Sequence, residues 1–221
     1  DYIRDGAFKN SDSVDMGAGD DLVQMNINTD SRKGTPKIPD LNMVKLDGGE
    51  GIDWLDFSYS TNLDNSEVTF GGAVNFENLK GTHDAEVIRG NSEDNEIWGG
   101  RGADTLYGGA GNDTLRGNDS GINTENNNFY GQAGNDTLFG SSGDNIFDGG
   151  TGADIITTGD GYDTIILRAG DGGTTLSPSE YGDGLFGTYA SDADAIKDFT
   201  KGSDSFGLAD GLTYSDLTIK K

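Results

Sequence analysis

Gly99 to Arg116 reads GGRGADTLYGGAGNDTLR, two consecutive copies of one nine-residue phrase. A repeat this regular constrains the fold more than any local propensity, because every copy must adopt the same structure and stack on its neighbours. Each phrase opens with a glycine-rich hexamer ending in Asp and closes with a triplet whose middle residue is apolar. Glycine tolerates positive φ and close backbone approach, so the hexamer suits a tight turn. The triplet suits a three-residue strand with one inward side chain. Asp104 and Asp113 end their turns at the same place. Stacked copies would therefore align carboxylates with turn carbonyls, the hard oxygen ligands that Ca²⁺ prefers.

The frame holds through phrases that begin at Gly81, Gly90, Gly99, Gly108, Gly117, Gly131, Gly140, Gly149 and Thr158. The one at Gly117, GNDSGINTENNNFY, is longer yet ends in phase. The inward series is Ile88, Ile97, Leu106, Leu115, Phe129, Leu138, Phe147, Ile156 and Ile165, all large and apolar. That series predicts a continuous but narrow core, with metal carrying much of the stability.

The phrase matches G-G-x-G-x-D-x-U-x and resembles the calcium-binding repeat of the RTX (repeats-in-toxin, hemolysin-type) family. The resemblance implies an all-β fold, a parallel β-roll in which successive phrases alternate between two sides and calcium sits between turns on the same side. One side then receives the sixth-place residues Asn95, Asp113, Asp136 and Asp154, and the other Glu86, Asp104, Asn127, Asn145 and Asp163. The first side keeps three consecutive Asp residues in intact turns, with glycines Gly109, Gly111, Gly134, Gly150 and Gly152. The stronger calcium sites are expected between Asp113 and Asp136 and between Asp136 and Asp154. Asn127 and Asn145 offer a carbonyl oxygen without charge, so their sites are expected to be weak or empty. Asp21 and Asp53 stand in isolated phrases and either bind calcium or pair with each other across residues 26–45.

The acids outnumber the bases 39 to 15, for a formal charge of −24, and only 32% of residues are hydrophobic. Such a composition borders on the disordered class. Here the acids recur in register, as metal ligands would, and without a cation their repulsion opposes compaction. This charge excludes nucleic acid as a partner, and no apolar run is long enough for membrane insertion. With no cysteine, disulfides and thiol chemistry are excluded. No signal peptide is apparent and the chain opens at Asp1, so it is expected to be a piece of something longer.

Three segments are expected. Residues 1–80 contain degenerate repeats, a loop at 26–45 and β-favouring fragments at Phe57-Ser58-Tyr59, Val68-Thr69-Phe70 and Val74-Asn75-Phe76. Residues 81–166 form the regular roll. Residues 167–221 close it with a β cap through Ile196, Phe199, Phe206, Leu208, Leu212, Leu217 and Ile219, a spacing similar to the segment that closes many RTX arrays. A cap is physically required, because a solenoid end exposes apolar surface and strand edges.

His83, the lone histidine, has no partners at catalytic or zinc spacing and reads as an exposed turn residue. Asn112-Asp113-Thr114 and Asn135-Asp136-Thr137 match the glycosylation pattern only formally, since both lie inside turns of the array. Outward threonines are too irregular for an ice-binding face. Outward Trp98, Tyr107, Tyr130 and Phe139 are either ligand-binding or covered by the N-terminal segment or the 174–193 stretch. The expected function is a non-catalytic, extracellular calcium-binding module of a larger bacterial protein. The resemblance implies type I secretion, with the exporter as a partner. An adhesin with a cell-surface, carbohydrate or protein ligand is preferred over the accessory domain of a secreted protease, lipase or polysaccharide-modifying enzyme.

Overall fold

Strand and turn alternate along the repeat, and in the computed structural model this alternation builds two stacks of parallel strands. The structure describes residues 2–4, 14–25, 46–60, 66–69, 73–118, 124–168, 175–176, 194–200, 203–211 and 213. The first sheet runs, in spatial order, through Tyr2–Arg4, Leu22–Gln24, Trp54–Asp56, Asn78–Lys80, Glu96–Trp98, Thr114–Arg116, Thr137–Phe139, Ile155–Thr157, Ala195–Ile196 and Thr175–Leu176. The second runs through Ser66–Thr69, Glu86–Arg89, Thr105–Ala110, Asn128–Ala133, Ile146–Thr151, Thr164–Leu167 and Ser205–Leu208. Val14–Asp15 and Leu46–Asp47 form a separate parallel pair. This is an all-β parallel β-solenoid, and among the described residues no helix is long and apolar enough to cross a membrane.

Register places one apolar side chain per strand in a column. In the first sheet the column is Val23, Leu55, Leu79, Ile97, Leu115, Leu138, Ile156 and Ile196. In the second it is Val68, Ile88, Leu106, Phe129, Phe147, Ile165 and Phe206. All are buried except Phe206, which is partly so. Phe129 and Phe147 stack with centroids 4.8 Å apart. Burying such a side chain contributes about 1.5–3 kcal/mol, whereas ordering each backbone residue costs about 1–2 kcal/mol. One buried side chain per nine residues cannot carry this fold alone.

The insertion in the Gly117 phrase is absorbed without loss of register, since Leu106 pairs with Phe129 and Phe129 with Phe147. Residues 119–123 lie outside the described residues.

The N-terminal part differs in detail from the sequence reading. Of the three β-favouring fragments, only Val68-Thr69 lies in a strand, Ser66–Thr69; Phe70 is outside the described residues. Phe57-Ser58-Tyr59 turns instead, closed by Ser60 N–H donating to the Phe57 carbonyl at 2.8 Å. Val74 makes only an isolated bridge to Asp47. The first sheet continues through Asn78–Lys80, where Leu79 is fully buried between Leu55 and Ile97. A buried rung outweighs the weak strand propensity of Asn and Lys. The sheet therefore passes without a break from Asn78–Lys80 to Glu96–Trp98.

At the other end, Ile196 and Phe206 occupy the next rungs of the two columns, in strands parallel to Ile155–Thr157 and Thr164–Leu167. Phe199 stacks on Phe206 at 4.8 Å. Arg168 ties this end together through ion pairs with Asp148 at 2.5 Å and Asp210 at 3.0 Å. Leu212, Leu217, Ile219 and the 26–45 loop lie outside the described residues, as does 174–193 apart from Thr175–Leu176.

The ninth-place aromatics sit half-buried along the outer faces. Tyr107 and Tyr130 stack at 4.8 Å, with the Arg89 guanidinium 3.9 Å over Tyr107. Trp98 meets Trp54 edge-on at 5.8 Å and lies under the Lys80 ammonium, and Arg116 lies over Phe139.

Candidate metal-binding turns

Turns on the same side stack on one another, and backbone hydrogen bonds continue through them. Ala110 N–H donates to the Asn91 carbonyl, Gly111 N–H to Ala133, and Gly134 N–H to Thr151. Stacking this close demands glycine. Gly109 and Gly111 have φ of 121° and 112°, and a Cβ at Gly111 would fall 2.6 Å from the Glu93 carbonyl oxygen. Gly134, Gly150 and Gly152 adopt the same positive φ in their own turns. Gln132, in the second place of its phrase, is held at φ 81° without being glycine.

The sixth-place residues form a side-chain ladder on each side. On the first, Asn95, Asp113 and Asp136 donate their backbone N–H groups to Oδ1 of Asp113, Asp136 and Asp154, each at 2.8 Å. Asp154 N–H continues to Asp194 Oδ1 at 3.0 Å. On the second, Glu86 donates to Asp104, Asp104 to Asn127, Asn127 to Asn145 and Asn145 to Asp163. Asp163 N–H then donates to Asp204 Oδ1 at 3.3 Å. Asp21 and Asp53 join by the same bond, Asp21 N–H to Asp53 Oδ1 at 2.8 Å, so their turns stack directly across the 26–45 segment. The structure thus brings the sequence-derived positions into two columns and one N-terminal pair, whose Asp53 N–H goes on to donate to Glu77 Oε2 at 2.9 Å.

Asp194 and Asp204 are rungs that the repeat frame did not point to. They follow their neighbours by about forty residues, where the period has lapsed. The local signature was present, Asp-x-apolar, in Asp194-Ala195-Ile196 and Asp204-Ser205-Phe206. Fifth-place side chains make a further ladder of opposite polarity. Asn112 N–H donates to Asp94 Oδ1, Asn135 N–H to Asn112 Oδ1 and Ala153 N–H to Asn135 Oδ1, at 2.6, 2.9 and 2.8 Å. This occupies both formal glycosylation asparagines in structure.

Asp53, Asp104, Asp113, Asp136, Asp154 and Asp163 each use one oxygen, Oδ1, in the ladder. The other oxygen, Oδ2, of Asp53, Asp104, Asp113, Asp136 and Asp163 is buried with no hydrogen-bond donor among the described residues. In Asp53, Asp104, Asp113 and Asp136 it folds over the first glycine of its own phrase; a Cβ at Gly99 would lie 2.6 Å from Asp104 Oδ2. A buried, donorless carboxylate oxygen is costly. Desolvation accordingly pushes Asp104 and Asp136 up to about 7 and Asp113 and Asp163 up to about 6, against the lowering effect of the backbone N–H each accepts. Asp53 is raised by the same cause. Glu86, buried and bonded to Thr82, is pushed up to about 8 by desolvation.

Each Asp-bearing turn offers one sixth-place carboxylate; among the described residues no three acidic, histidine or cysteine side chains converge. A cation held here needs main-chain carbonyls for its remaining ligands. Hard oxygen donors of this kind fit Ca²⁺, and the orphaned Oδ2 atoms are what such an ion would satisfy. The Asn rungs differ. Asn145 Nδ2 donates to the Gly143 carbonyl at 2.8 Å, and Asn127 Nδ2 reaches Ser141 Oγ at 3.4 Å. Asn95 instead turns Oδ1 onto its own Asn91 N–H at 2.9 Å.

Comparison with known families returns the RTX calcium-binding nonapeptide repeat in 4 copies, at residues 81–120, 123–156, 130–165 and 148–172. No curated protein matches the chain.

Proposed function

From the premise that residues 81–120 and 123–172 carry RTX calcium-binding nonapeptide repeats, which bind calcium ions, we propose that this chain is a calcium-triggered folding module of a secreted bacterial protein. The observation that carries the reading is the set of buried Oδ2 atoms, without donors among the described residues, at Asp113 and Asp136 in the first column and Asp104 and Asp163 in the second. Bound calcium supplies the positive charge that these oxygens and a chain of −24 lack. The ligands we assign are Asp104, Asp113, Asp136, Asp154 and Asp163 in the array and Asp21 with Asp53 in the N-terminal pair. Asp113, Asp136 and Asp154 hold the strongest sites, and Gly109, Gly111, Gly134, Gly150 and Gly152 shape their turns.

At sub-micromolar calcium the acids repel and the narrow core does not hold. At millimolar calcium, above the ~10⁻⁴–10⁻³ M range of extracellular modules, the roll closes. That switch suits passage through a type I exporter as an extended chain and folding outside. Residues 81–166 are the calcium-loading body, with 1–80 leading into it and 167–221 closing it. The module itself is non-catalytic and serves a surface adhesin.

A far-UV circular dichroism titration tests this after chelation. The expected result is a cooperative coil-to-β transition with a midpoint between about 10⁻⁴ and 10⁻³ M calcium that magnesium does not reproduce. A chain that stays fully folded in chelator refutes the switch.

A further inference from the structure

We infer that the side-chain amides of Asn127 and Asn145 close their turns in the place of an ion, so that the middle of the second column takes no calcium. The inference deepens the calcium reading above and rests on it for its ion count. Asn127 and Asp104 sit alike in the ladder: each accepts the N–H of the preceding rung through Oδ1, at 3.0 Å from Glu86 to Asp104 and 2.8 Å from Asp104 to Asn127. Their remaining terminal atoms also sit alike. Asp104 Oδ2 lies 2.6 Å from a Cβ position on Gly99, and Asn127 Nδ2 lies 2.7 Å from one on Gly117. The same place is filled by an acceptor in one turn and by a donor in the other.

The chemistry of that atom decides what the turn needs. Asp104 Oδ2 is acceptor-only and has no donor among the described residues. Asn145 Nδ2 donates to the Gly143 carbonyl at 2.8 Å, to Asp163 Oδ1 at 3.1 Å and to the Ser141 carbonyl at 3.5 Å. Asn127 Nδ2 reaches the Glu125 carbonyl at 3.5 Å and Ser141 Oγ at 3.4 Å. The orientation is fixed by the ladder, because reversing either amide would set its NH₂ against a backbone N–H. In the Asn145 turn the Gly143 and Ser141 carbonyls and Asp163 Oδ1, and in the Asn127 turn the Glu125 carbonyl, all oxygens an ion would draw on, already accept from the amide N–H groups. These two turns do not fit calcium, and the second column is split into an Asp104 part and an Asp163 part.

Asn145→Asp and Asn127→Asp, made separately in the full chain, test this by equilibrium dialysis at saturating calcium. Each variant is expected to bind one more calcium ion than the parent chain. An unchanged count in both overturns the inference, as does failure of both to fold at saturating calcium, since an ion then cannot replace the amide. If the parent folds with no calcium bound, the calcium reading fails separately. The amide inference is then read from thermal midpoints: Asn145→Asp must melt below the parent, and an equal or higher midpoint overturns it.

Discussion

Asp136→Ala is expected to raise the calcium concentration at the folding midpoint by at least about tenfold, in line with the dependence of calcium affinity on ligand charge. Asp136 stands between two candidate sites, because its Oδ1 accepts from Asp113 N–H and its own N–H reaches Asp154 Oδ1. Alanine removes the charge and also leaves the buried Asp113 N–H without an acceptor, a loss of about 1–3 kcal/mol. Asp136→Asn separates the two effects. It keeps an acceptor for Asp113 and replaces the donorless Oδ2 with an NH₂ group, as at Asn145. Calcium titrations should show both variants weakened. In chelator at pH 8, Asp136→Asn should retain more β-structure than the parent and Asp136→Ala less. Equal midpoints for all three proteins would remove Asp136 from the metal site.

The second large effect is on pH. In the metal-free chain, lowering the pH from 8 to 5 is expected to increase β-structure. Asp104 and Asp136 are raised to about 7, Asp113 and Asp163 to about 6 and Glu86 to about 8, all by desolvation. The folded state therefore binds more protons than the unfolded one between about pH 4 and pH 8. Stability is full below the unfolded pKa values and is lost as the pH rises through 6 to 8. A proton on each acid substitutes for the missing cation. With calcium present the dependence reverses, since acid competes for the ligands and the calcium midpoint rises as the pH falls. Circular dichroism in chelator across this range checks the sign. Adding 1 M salt at pH 8 screens surface repulsion but should not restore what acid restores. A metal-free chain that unfolds on acidification from 8 to 5 would contradict the burial of these acids.

Much of this was legible from the repeat. A nine-residue phrase with one apolar and one acidic position determines which residues face inward, and Ile88 through Ile165 are buried in the order the frame predicts. Alternation likewise separates Asp113, Asp136 and Asp154 from Asp104 and Asp163. What the frame hid lies where spacing lapses but the hydrogen-bond ladder persists. Leu79, Asp194 and Asp204 are placed by pairing with rungs already built, not by their own turns. Side-chain polarity inside the turns was also illegible. Asn reads in sequence as a weaker, uncharged oxygen ligand, yet at Asn145 it points a donor at a turn carbonyl where Asp holds an acceptor. The Asx ladder at the fifth place depends on neighbours eighteen or more residues away, which no local signal announces.

The most direct test is an anomalous-scattering map from crystals grown in millimolar calcium. Ion peaks are predicted between the turns of Asp113 and Asp136 and between those of Asp136 and Asp154, with none in the turns closed by Asn127 and Asn145. Peaks of equal height along both columns, or no peak beside Asp136, would contradict the account.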